Sequence, residues 1–85
     1  MTSETSPARS RTATWGDPLR TAQAARELPG LALLQAIGAG ELPAPPIMRL
    51  LEIGYGELEE GRIVFTLTPA EYHYNPIGTV HGGVI

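Results

Sequence analysis

The sequence predicts a mixed α+β fold in one small domain. Asp17-Pro18 opens an Ala-rich helical stretch. Leu31, Leu34 and Ile37 recur at helical spacing, with Leu33 widening the stripe. Residues 62–68 place Ile63, Phe65 and Leu67 on one face and Val64, Thr66 and Thr68 on the other, as a half-buried strand does. Helices come first and strands follow, so no parallel βαβ unit is implied.

Each element has a local cause. Residues 1–16 are rich in Ser, Thr and Arg, and Met1 is the one large apolar residue before Trp15, so this stretch reads as a disordered tail. The folded part is expected over residues 17–85. Asp17 is an N-cap and Pro18 suits the first helical position, where its missing N–H costs nothing. Pro29-Gly30 stops that helix after Leu28. The second helix, about Leu31 to Ile37, ends at Gly38-Ala39-Gly40. Leu42-Pro43-Ala44-Pro45-Pro46 is an extended connector, because each Pro removes a donor and restricts the residue before it. Pro46 then opens a short third helix, Ile47 to Leu51. Leu51, Ile53 and Tyr55 alternate with Glu52, Gly54 and Gly56 as a first strand, and the two glycines mark a bulge or a close backbone approach. Glu59-Glu60-Gly61 is the hairpin turn into the second strand. Glu71 to Tyr74 reads as a short extended segment. Residues 75–85 read as a loop leading into a helix that begins near His81, with Val84 and Ile85 as its first apolar residues.

Composition narrows the function. The chain has 85 residues, six Arg, no Lys, nine acids, two His and no Cys, for a net charge of −3. Dinucleotide-binding and barrel enzyme folds need longer chains. The absence of Cys excludes disulfides and thiolate chemistry. His73 and His81 do not share metal-ligand spacing, so no metal and no cofactor is expected. The arginines are scattered at 9, 11, 20, 26, 49 and 62, without the basic stripe that binds nucleic acid. No apolar run reaches the roughly 18–20 residues a membrane span requires, and residues 1–14 lack an apolar h-region, so no secretory signal is expected. A cytoplasmic protein is expected. A domain this small buries about 60% of its unfolded surface, which invites a partner subunit or a larger context.

Chemistry concentrates in the last segment. At a helix start, His81-Gly82-Gly83 leaves backbone amides without intrahelical partners and without side chains to shield them. That suits a developing oxyanion, and it equally suits a tight turn. Asn75-Pro76 is turn chemistry, or Asn75 is an amide donor to a carbonyl or a water. Ser occurs at 3, 6 and 10, within the tail, so no serine triad is available. Glu57, Glu59 and Glu60 read as a solvated hairpin tip. Glu71 is the acid nearest the loop, and Tyr55, Tyr72 and Tyr74 read as packing residues.

The strings Gly61-Arg62-Ile63-Val64-Phe65-Thr66-Leu67-Thr68-Pro69 and His73-Tyr74-Asn75-Pro76-Ile77-Gly78-Thr79-Val80-His81-Gly82-Gly83-Val84-Ile85 together resemble the N-terminal half of a hotdog-fold acyl-CoA thioesterase of the phenylacetate-degradation (PaaI-like) family. The likeness covers residues 30–85. It implies a curved antiparallel sheet around a central helix, with the chain ending before that helix is complete. It also implies homodimers or homotetramers and an acyl-CoA substrate bound between subunits. By this resemblance the Gly82 amide would face the thioester carbonyl, and Gly83 would line the substrate. Asn75 would hold the carbonyl or the water, and His81 would shape the loop and assist polarisation. The family's catalytic carboxylate falls on the central helix beyond Ile85. The 85-residue chain is therefore expected to lack thioesterase turnover. The alternatives are a truncated remnant and a hotdog module that binds acyl-CoA without catalysis.

Overall fold

The computed structural model describes residues 6–85. Three helices precede an antiparallel hairpin: α1 (Pro18–Ala25), α2 (Gly30–Gly38), α3 (Pro46–Leu51), β1 (Gly54–Glu59) and β2 (Arg62–Thr66). A single 3₁₀ turn, Glu71–His73, follows. The mixed α+β class is the one expected.

The helix signals act where they were read. Asp17 accepts from the Leu19 N–H at 3.0 Å and Pro18 opens α1. α1 stops at Ala25 and continues as turns to Leu28, three residues short of expectation, because Pro29 disfavours helical geometry in the residue before it. α2 ends in a Schellman motif. Gly40, at φ +80°, donates to Ile37 O at 3.1 Å, and Glu41 donates to Ala36 O at 2.9 Å. Pro46 opens α3 as expected.

The hairpin register pairs Tyr55 with Phe65 and Leu58 with Ile63. Three steps on β1 thus oppose two on β2, a bulge at Gly56-Glu57 where the glycine signal placed it. A Cβ on Gly56 would lie 3.2 Å from Val64 Cγ1, so the strands approach closely there. Gly61, at φ +75°, supplies the left-handed turn residue. β2 ends at Thr66 instead of Thr68. The Ile53 N–H folds back onto Met48 O at 2.9 Å, so β1 begins late and Leu67 has no strand partner.

Two further differences are physical in origin. Glu71 to Tyr74, expected extended, contains the 3₁₀ turn, closed by His73 N–H to Ala70 O at 2.9 Å. Residues 82–84 form a turn and not a helix. The Gly83 and Val84 amides bond the His81 ring Nδ1 and the His81 carbonyl, which closes a single turn there.

Residues 1–5 of the expected disordered tail lie outside the described residues. Residues 6–16 form no helix or strand, yet residues 9–16 are tied to the body. Arg11 bonds the end of α3, Arg49 Nε donates to Thr14 O at 3.0 Å, and Gly16 lies against Pro43. These ties are mainly polar, which a reading of apolar content does not register.

The core is small. Among the described residues, Ile37, Met48 and His73 are buried. α2 packs on β1, with Gly38 close to Leu58 and Tyr55. No helix among the described residues is long and apolar enough to cross a membrane.

Candidate functional site

The last segment builds a loop on Asn75. Its backbone N–H donates to Thr79 O at 2.7 Å, and its carbonyl accepts from Gly78 N–H at 3.1 Å. Its side-chain Oδ1 accepts from Ile77 N–H and Thr79 N–H, both at 3.0 Å, and Nδ2 donates to Thr79 Oγ1 at 2.7 Å. Asn75 thus spends both acceptor sites and one donor on its own loop, and keeps one N–H. Gly78 sits at φ +83°, where a side chain would be strained. A bridge between Tyr74 and Val80 closes the loop.

The loop delivers His81, whose backbone N–H donates to His73 O at 2.7 Å. His81 then acts as a cap. Its Nδ1 accepts from Gly83 N–H at 2.9 Å, and its carbonyl accepts from Val84 N–H at 2.9 Å. Those bonds put the ring proton of a neutral His81 on Nε2. The Gly83 amide is therefore spent, and a Cβ there would lie 3.1 Å from His81 Nδ1. Gly82 differs. Its N–H makes no bond to the described residues, and, its chain neighbours aside, nothing among them lies within 4 Å of where its Cβ would be. Of the amides singled out in the sequence, Gly82 is the one left for a ligand.

His73 was weighed in the sequence as a metal ligand alone, and its actual role was missed. It is 2% exposed. Nδ1 accepts from Ala70 N–H at 3.0 Å and Nε2 bonds Leu51 O at 2.9 Å, which assigns the proton to Nε2. This ring ties the end of α3 to the segment carrying Asn75 and His81. No local pattern announces a bond across 22 residues. Among the described residues, no group of three His, Asp or Glu is arranged to hold a metal.

Beside this segment lies an apolar groove of about 740 Å³. α3 supplies Ile47 and Met48, the hairpin supplies Tyr55 and Phe65, and Val80 and Val84 bracket Gly82 in sequence. Ile47 and Phe65 are 58% and 55% exposed, so large apolar surface faces the open groove. The Tyr55 and Phe65 rings, 5.4 Å apart, stiffen its floor, and burial pushes the Tyr55 hydroxyl pKa up. The sequence reading did not identify this groove. Its signal was the pairing of an apolar helix after Pro46 with an apolar strand face.

Four of the acids are paired with other side chains. Glu52 bonds Arg11 and Tyr72, Glu71 pairs with Arg9, and Glu57 and Glu59 pair with Arg62. None of them hydrogen-bonds His81. No family model, no curated protein and no solved structure matches the chain.

Proposed function

We propose that this chain belongs with the PaaI-like hotdog acyl-CoA thioesterases and carries the thioester-binding part of such a site. The observation that supports this is the Gly82 N–H, free and unshielded, in a segment whose neighbours Val80 and Val84 line the apolar groove. An acyl chain suits the groove because both are apolar. Its thioester carbonyl then meets the Gly82 amide. Attack of water on that carbonyl breaks the C=O π bond and places negative charge on oxygen, which a preorganised N–H stabilises. The His81 Nε2–H is a second donor. The unspent Asn75 N–H is a third.

Water activation needs a base, and no Asp or Glu among the described residues lines the groove. The 85-residue chain is proposed to bind acyl-CoA without turning it over. A second copy, as a homodimer or homotetramer, and a cytoplasmic location belong to the same proposal.

Infrared spectroscopy of octanoyl-CoA mixed with the chain tests the carbonyl contact. Binding is expected to move the thioester C=O band to lower frequency. Gly82→Pro deletes the N–H while keeping a residue that opens helical turns, and is expected to return the band to its solution position. Binding without a band shift, or no binding, sinks the reading. Hydrolysis well above the buffer rate sinks the proposed inactivity.

A further inference from the structure

We propose that residues 9–16 are a strap, latched by Arg11, that holds α3 where it walls the apolar groove. The inference rests on the groove as geometry and not on what the groove binds.

α3 has six residues, and its last four carbonyls lack partners within the helix. Each finds one outside. Met48 O accepts from the Glu52 and Ile53 amides, where Glu52 turns left-handed at φ 56°. Arg49 O accepts from Arg11 Nη2 and Leu50 O from Arg11 Nη1, both at 2.8 Å. Leu51 O bonds His73 Nε2. Two of the four carbonyls thus depend on a residue about 40 positions away in the strap. A cation at a helix C-terminus also favours the helix dipole.

Arg11 is fixed on its other sides as well. Its Nε donates to Glu52 Oε1 at 2.9 Å, and its guanidinium carbon lies 4.7 Å from the Tyr72 ring centroid. Tyr72 donates its O–H to the second Glu52 oxygen. Arg11 from the strap and Tyr72 from the 3₁₀ turn therefore both bond the Glu52 carboxylate. The Arg11 side chain is 22% exposed, whereas Arg9 and Glu71 in the neighbouring ion pair are 70% and 55% exposed. The exposed pair contributes little, so Arg11 is the latch on the end of α3, with the Arg49 bond to Thr14 O as the strap's second tie. Met48 and Ile53 line the groove, and the bond joining them closes the same helix end that Arg11 caps.

Trp15 is the one tryptophan of the chain and lies in the strap. Its fluorescence anisotropy reports strap attachment, and amide exchange of residues 48–53 reports α3. In the full chain, Arg11→Ala is expected to lower Trp15 anisotropy and to speed exchange at 48–53 about tenfold, with the hairpin amides of 54–66 unchanged. Arg11→Lys keeps the charge but cannot fork to three acceptors, and is expected to fall between. Three outcomes overturn the proposal. Trp15 could loosen while α3 stays protected, α3 could loosen while Trp15 stays held, or the hairpin could open together with α3 in both variants. The last result would make the strap an inseparable part of the fold.

Discussion

Asn75 offers the sharpest test of what the loop is for. Its side chain makes three bonds, two accepted from Ile77 and Thr79 amides and one donated to the Thr79 hydroxyl. Asn75→Ala removes all three. A hydrogen bond contributes about 0.5–1.5 kcal/mol net, and water can reach these partly exposed amides, so the sum is about 1–2 kcal/mol. That corresponds to roughly a 5–30-fold loss of protection. The loop does not melt, because the Asn75–Thr79 and Gly78–Asn75 backbone bonds and the Tyr74–Val80 bridge survive. Asn75→Asp separates the two roles. A carboxylate still accepts from both amides, and the Thr79 hydroxyl rotates to donate to it. The loop is then retained to within about 0.5 kcal/mol, while any N–H offered to a substrate carbonyl is lost. Exchange of the Ile77 and Thr79 amides by NMR reads the loop. Octanoyl-CoA carbonyl frequency reads the substrate contact. If Ala leaves both amides as protected as before, or Asp damages them as much as Ala does, the loop-building account fails.

Three other outcomes follow from the same geometry. His73→Ala leaves Leu51 O and Ala70 N–H unpaired and a hole where a 2%-exposed ring stood. About 3 kcal/mol should be lost in urea unfolding followed by circular dichroism, and a loss under about 1 kcal/mol contradicts the assignment. Gly83→Ala should displace the His81 ring, seen in its NMR shifts, whereas Gly82→Ala should leave it in place; equal effects refute the cap geometry. The bonds from Tyr72 and Arg11 hold the Glu52 carboxyl below its ordinary value of 4.5, so its contribution is present above that value and fades as pH falls through the lowered one. Bonding to Glu52 raises Tyr72 above 10.0, so its contribution is present below 10.0 and fades as pH rises through the raised value. Tyr72→Phe should flatten the alkaline limb of a Trp15 fluorescence titration; an unchanged limb assigns it to Tyr55 or elsewhere.

What could be read from the sequence is what short-range chemistry decides. Asp17, Pro18 and Pro46 start helices because their dihedrals and donors act within one turn. Gly40 and Gly61 stop or turn the chain because they reach positive φ. Gly56 marked the bulge because a missing side chain lets strands close in. The boundaries that moved depended on distant partners. β2 lost Leu67 and Thr68 because the Ile53 amide turned back to α3. The strap was read as disordered because Arg11 is polar, and its acceptors lie 38 to 41 residues away. At the site, Asn75, His81, Gly82 and Gly83 do fall in one segment. Which of their donors remain free was not legible, since it depends on Asn75 folding onto Thr79 and on His81 taking the Gly83 amide.

Stabilisation in this molecule is distributed unusually. The described residues bury few apolar side chains, while α3, the 3₁₀ turn and the loop are locked by Arg11, His73 and Asn75. Polar bonds give direction but little net energy. Apolar burial gives energy, and Phe65 and Ile47 still hold theirs unspent in the groove. The site's geometry is therefore set before its apolar surface is covered. Whatever fills the groove then gains burial without first having to organise the loop, so less ordering cost is charged against its binding. By linkage the same occupant stabilises the fold, by about 2.7 kcal/mol at one hundred times its dissociation constant. For a chain with so small a core, that is a large share of its stability. Binding and folding should rise together, and a ligand that binds without stabilising α3 would have to lie outside the groove.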